Sequence, residues 1–176
     1  MTRLRSVWIV GFASGWVAAF GGSVVRAEDA TPTVLAKELQ LAPIQFLPAN
    51  SGVSYVVEQG GLGRLCVTKG AAYFVATLPI DGTAVVERIT ARIKDRNREG
   101  FGMMSLARRA LDSFEVLGMT PLSIGTGDGE DEVESLTTAS FAPPTIPGHG
   151  GTYVLQLVLT SPGVCLYGAN VAYHLP

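Results

Sequence analysis

Between Ala71 and Asp95 apolar and polar positions alternate with a period of two. Ala72, Phe74, Ala76 and Leu78 fall on one face, with Tyr73, Val75 and Thr77 on the other. Further on, Ile89, Ala91 and Ile93 share a face opposed to Arg88, Thr90, Arg92 and Lys94. A helix cannot sort residues this way, whereas an extended strand with one buried face does. Pro79 and Gly82 punctuate the junction, so the pattern predicts strand, tight turn, strand. Glu87 interrupts the inward face. It is read as paired with an arginine, or else as sitting at the mouth of the fold.

The same alternation recurs along the chain. LAPIQFLP, bounded by Pro43 and Pro48, reads as a short edge strand, because proline cannot donate to an inner ladder. Asn50-Ser51-Gly52 marks a turn before a strand from Val53 to Glu58, and Arg64 to Thr68 follows a glycine loop. Ser135 to Ala142 reads as a strand rich in Ser and Thr. Tyr153, Leu155, Leu157 and Leu159 alternate with Val154, Gln156 and Val158. Near the end Cys165, Tyr167, Ala169, Val171 and Tyr173 share a face. One stretch is ambiguous: in FGMMSLARRALDSFEVLGM, residues Met103, Leu106, Ala107, Ala110, Leu111, Phe114 and Leu117 fit helical spacing. Read as strands, Met104, Leu106 and Arg108 share one face and Phe114, Val116 and Gly118 another. Eight to ten strands at this spacing predict an all-β fold, an antiparallel β-sandwich with jelly-roll-like connections over residues 41–176. Its expected core holds Phe74, Ala76, Leu78, Ile89, Ala91, Ile93, Leu106, Leu155, Leu157, Val171 and Tyr173. The Arg88/Arg92/Lys94 face, with Pro43 and Pro48, reads as protection of exposed strand edges.

The start of the chain follows another logic. Arg3 and Arg5 precede an uncharged run from Val7 to Val25, and Val25-Arg26-Ala27 fits a signal-peptidase site. Residues 1–27 are read as a signal peptide, and 28–40 as an N-terminal arm or linker. A retained membrane anchor is the competing reading, weakened by the glycines and serines in the run. Cleavage after Ala27 leaves 149 residues, enough for one domain with a sizeable core. It also removes three of the 13 basic residues and none of the 15 acidic ones, leaving a net charge of −5. That balance argues against nucleic acid as a partner, since a basic face is what phosphates require. A secreted or periplasmic location is expected, with no membrane attachment after cleavage.

In order along the chain, Leu78-Pro79-x-x-Gly82-Thr83-x-Val85 is followed by a strand ending at Asp95, then Leu106-Ala107-Arg108. A Ser/Thr-rich strand from Ser135 to Ser140 comes next, then a strand from Tyr153 to Leu159 and a closing Leu166-x-Gly168-x-x-Val171-x-Tyr173. Over residues 64–175 this order resembles a recurring β-sandwich module of secreted bacterial proteins, one of unassigned function. The resemblance implies the fold and the compartment, and it favours strands over a helix at residues 103–117.

Candidate chemistry is sparse. Cys66 and Cys165 make an even pair in an exported chain, which predicts a disulfide. His149 lies in a Pro/Gly loop and His174 near the end, too few and too far apart for a nitrogen–sulfur metal site. Gly125 and Gly127 flank Thr126 where a hydrolase elbow needs serine. Gly60-Gly61-Leu62-Gly63 lacks the ending of a phosphate loop, and no cofactor is expected. Asp81, Glu87, Asp95, Asp112 and Glu115 are carboxylates from which a hydrolytic pair could be drawn, but nothing in the sequence selects two. Asp128, Glu130, Asp131 and Glu132 crowd one loop and form a weak calcium candidate; Val133 stands where an EF-hand has glycine. Tyr55, Tyr73, Tyr153, Tyr167 and Tyr173 could form a stacking platform for sugars, but alternating strand positions make most of them core or rim, and the lack of any tryptophan after Trp16 weakens a carbohydrate-binding reading.

The reading is therefore a secreted, non-enzymatic β-sandwich that binds a surface polymer or protein, or has a structural part at or beyond the cell surface. The alternatives are a carbohydrate- or calcium-dependent binding domain and a small hydrolase with an unidentified carboxylate pair.

Overall fold

The computed structural model describes residues 36–58, 63–125, 132–144 and 151–176. Among them eleven strands form two antiparallel sheets. In the first sheet β3 (Ser54–Glu58), β4 (Arg64–Lys69), β11 (Val164–His174), β6 (Val85–Asp95) and β9 (Glu134–Thr138) lie in that order, and β1 (Lys37–Leu41) also pairs with β11. In the second, the order is β2 (Leu47–Pro48), β5 (Ala72–Thr77), β10 (Thr152–Leu159), β7 (Gly102–Arg109) and β8 (Phe114–Met119). The inner faces meet in one core around Phe74, Ile89, Ile93, Leu106, Leu155, Leu157 and Val171, all fully buried. Alternating side chains from both sheets fill the space between them, as the period-two pattern requires. Every residue expected in the core is there except Tyr173, which is half-buried and packs against it.

The stretch from Ala71 to Asp95 is not a hairpin. β5 belongs to the second sheet and β6 to the first, and residues 78–84 cross between them. Periodicity gives the inward face of each strand, and both faces do point at one core, but periodicity does not say which sheet carries which strand. The crossing is built by local bonds. Asp81 Oδ1 accepts from the Thr83 amide at 2.7 Å and from its hydroxyl at 2.6 Å. The Ala84 amide donates to the Asp81 carbonyl, and the Leu78 amide to that of Tyr153. Arg108, 2 % exposed, donates to the Gly82 carbonyl, and its guanidinium lies 4.9 Å from the Tyr153 ring centre. A buried cation is tolerated there because a carbonyl and a π-face replace part of its hydration.

Residues 102–119 are strands, joined by a short turn closed by the Ala110 amide on the Ser113 carbonyl. The sheet context overrides helix-friendly Ala107-Arg108-Arg109-Ala110. The segment read as an arm also changes: Lys37 to Leu41 form β1, with Leu39 and Leu41 turned inward. After it, Pro43–Gln45 make a single 3-10 turn, and only Leu47–Pro48 reach the edge of the second sheet.

In the second sheet a register shift makes Leu117 the extra residue, so Gly118 does not share the face of Phe114 and Val116. Two bulges in the β6–β11 ladder also alter the expected faces. In β6 the register shifts so that Val86 faces Tyr173 and Arg88 faces Ala172, leaving Glu87 as the extra residue. Glu87 is thereby turned outward, where Oε1 lies 2.8 Å from His174 Nδ1; its partner is a histidine and not an arginine. In β11, Leu166 faces Ile93 and Gly168 faces Arg92, so Tyr167 is extra. Val164 and Leu166 point into the core before this bulge, and Ala169 and Val171 after it. Cys165 and Tyr167 are thus on the outer face and do not share a face with Val171. Because β6 lies between β11 and β9, its charged residues do not guard an edge.

Candidate functional site

The second bulge builds the groove with the best claim to a function. An extra residue re-aims its side chain out of the pleat, and it needs a neighbour that tolerates unusual backbone angles. Gly168 supplies this with φ at 147°, and a Cβ there would come within 3.2 Å of the Leu41 carbonyl oxygen. β11 and the β1-turn segment thus approach closely on one side, while Tyr167 stands out on the other. The resulting groove, about 370 Å³, is lined by Gln40, Gln45, Arg92, Tyr167 and Asn170 over a floor that includes Gly168 and Ala169. Gln40 and Asn170 are cross-strand partners and project together. Gln45 is fixed by the Ala42 amide, which donates to its Oε1 at 2.7 Å.

An ion pair lies close to Tyr167. Arg64 donates from Nε and Nη2 to the two Glu58 carboxylate oxygens, both at 2.7 Å, and its guanidinium is near enough to the Tyr167 side chain to interact with it. This fork holds the Glu58 carboxyl below the usual carboxylate range and raises the Arg64 guanidinium. Both groups are exposed, so the pair positions side chains more than it stabilises the fold. Beside it Cys66 and Cys165 face each other across β4 and β11, with Cα atoms 4.2 Å apart, and form the expected disulfide.

The other tyrosines are placed differently. Tyr153 is buried, Tyr55 packs edge-on against Phe74, and Tyr73 is exposed on the outer face of the second sheet. That outer face is largely apolar, with Leu47, Tyr73, Phe114, Val116 and Met119 exposed around a central Ser105–Gln156 couple. The carboxylates weighed as a hydrolytic pair have separate surroundings. Asp81 shapes the crossing, Glu87 meets His174, and Asp112 is exposed. Asp95 Oδ2 accepts from the buried Ser123 hydroxyl at 2.6 Å. Asp128, Glu130, Asp131 and His149 lie outside the described residues; Glu132 is exposed. Among the described residues no group of His, Cys, Asp or Glu is arranged to hold a metal ion, and no helix is long and apolar enough to cross a membrane.

No family model and no curated protein matches the chain. Solved structures do. The C-terminal family 6 carbohydrate-binding module of the laminarinase LamC from Zobellia galactanivorans superposes with a TM-score of 0.50 at 18% identity, over 77% of this chain and 98% of that one. The fold is the jelly-roll β-sandwich of such modules. A module from Clostridium stercorarium in complex with cellobiose gives a TM-score of 0.49 at 14% identity, over 80% and 94% of the two chains. A β-1,3-glucan-binding module from Bacillus halodurans gives 0.45 at 18%, over 79% and 93%.

Proposed function

We propose that this chain is an exported, non-catalytic carbohydrate-binding module that holds a polysaccharide in the groove beside Tyr167. The observation that carries the reading is the bulge: it sets an aromatic ring beside three amide side chains, Gln40, Gln45 and Asn170, in a groove open to solvent. A pyranose ring presents a C–H face that packs on an aromatic ring and hydroxyls that both donate and accept. Amides answer the hydroxyls because each carries two donors and an accepting carbonyl. The Cys66–Cys165 bridge supports export to an oxidising compartment. A module of this kind needs no nucleophile, and the carboxylates near at hand are occupied locally.

The test is affinity electrophoresis of the exported protein through gels containing a panel of polysaccharides. At least one should retard the wild type, and Tyr167→Ala should migrate as if no polysaccharide were present while melting at the wild-type temperature. Undiminished retardation of Tyr167→Ala, or none of the wild type on any polymer, would overturn the reading. Mass spectrometry of the exported chain should find its first residue at Glu28.

A further inference from the structure

We infer that the groove beside Tyr167 selects an anionic sugar chain, with the Arg92 guanidinium pairing its carboxylate or sulfate groups. This rests on the reading of the groove as a sugar site and adds the class of sugar.

Among the described residues, the charged side chains around Arg92 on the outer face of the first sheet are engaged. Arg64 is forked to Glu58, and Arg88 Nη2 lies 3.3 Å from Glu38 Oε1. Glu87 meets His174, and Lys94 is buried and has an interaction of its own. Arg92, exposed and lining the groove, makes neither a hydrogen bond nor an ion pair with another described residue. Among the described residues that line the groove there is no carboxylate to answer it. The hydroxyls of a neutral sugar can accept from a guanidinium, but a carboxylate or sulfate edge also matches its charge and its planar fork of donors.

The position supports the same ligand. Arg92 faces Gly168 across the strand pair, directly beside the bulged Tyr167. A sugar ring seated on the tyrosine therefore presents its substituents to the guanidinium. Cleaved after Ala27 the chain carries a net charge of −5, so an anionic polymer is not drawn to it by its overall field. Selection must come from the local pairing, and neighbouring acids beyond the Debye length of about 8 Å are screened at physiological salt.

The experiment is isothermal titration of the exported protein at physiological salt. The probes are polygalacturonate for the carboxylate, dextran sulfate for the sulfate, and laminarin and xylan as neutral polymers. The expected result is binding to an anionic polymer, and which one binds identifies the group. Arg92→Gln should weaken it roughly tenfold or more, as loss of a charge-assisted hydrogen bond does. Arg92→Lys should fall between, and Arg88→Gln, on the same face outside the groove, should match the wild type. Arg92→Gln binding as well as the wild type, or Arg88→Gln losing as much, overturns the proposal. Binding to laminarin or xylan and to neither anionic polymer overturns it while leaving the carbohydrate reading intact; binding to none removes both.

Discussion

The Tyr153 hydroxyl donates to the Ala84 carbonyl, 2.8 Å away, and so ties the middle strand of the second sheet to the crossing that enters the first. Burial pushes that hydroxyl above its usual value near 10, with Arg108 pulling it back. The folded state therefore keeps the proton longer than the unfolded chain does. Its contribution to stability is complete below about pH 10 and declines as pH rises beyond that. Tyr153→Phe should cost about 1–3 kcal/mol at neutral pH, because the carbonyl loses its donor. It should also flatten the alkaline decline. Urea unfolding at pH 7 and between pH 9.5 and 11 checks both; a variant whose pH curve runs parallel to the wild type contradicts the assignment.

At the other end of the sandwich Ser123 serves two partners. Its hydroxyl accepts from the Gly102 amide and donates to Asp95 Oδ2, both at 2.6 Å, inside the fold. Ser123→Ala leaves a buried amide and a buried carboxylate short of a partner. A loss of about 1–3 kcal/mol is expected, more if the carboxylate is stranded. A loss below half a kcal/mol in chemical denaturation would mean that water replaces the hydroxyl.

Gly102 and Ile93 share a contact that makes a coupled prediction. A Cβ on Gly102 would come within 2.8 Å of Ile93 Cδ1. Gly102→Ala should cost about 1–3 kcal/mol by overpacking, and Ile93→Ala about 2–5 kcal/mol by leaving a cavity. Together they should cost less than the sum, since the truncation makes room for the methyl. Strict additivity in a double-mutant cycle would count against the contact.

Replacing Cys66 and Cys165 with serine opens a closure spanning 99 positions. The chain-entropy argument gives about 4.7 kcal/mol for a loop of that order, and removal of a native bridge commonly costs 2–5 kcal/mol. Thermal unfolding of the oxidised protein against the double serine variant measures it. Indistinguishable melting would show that the bridge contributes nothing.

The strands were legible wherever one face is buried and the register is unbroken, as in Ala72–Leu78, Ile89–Ile93 and Tyr153–Leu159. β1 carried the same signal, with Leu39 and Leu41 alternating against Glu38 and Gln40, but its polar composition and short length hid it. The bulges were not legible. Glu87 and Tyr167 each insert one residue, and a single insertion reverses every face that follows. The crossing at residues 78–84 escaped for a topological reason: hairpins and sheet-to-sheet crossings use the same prolines and glycines. The groove was invisible for the same cause. Gln40, Arg92 and Tyr167 come from three separated segments, and only the pairing of β1 and β6 with β11 brings them together.

That pairing also fixes how the molecule would respond to tension. Lys37 faces Tyr173, so the two ends of the sandwich leave side by side on neighbouring antiparallel strands. Opposed pulling on those ends loads the rungs one after another, an unzipping geometry that yields at low force. The tear can run down β1 and along β11 as far as Cys165, where the bond to Cys66 halts it. Stretches 37–66 and 165–174 would then pay out on the order of 130 Å, at about 3.4 Å per residue. Everything between the two cysteines stays out of the line of force. A chain tethered between a cell and a polymer would thus carry a short, resettable extension in series with a fixed knot.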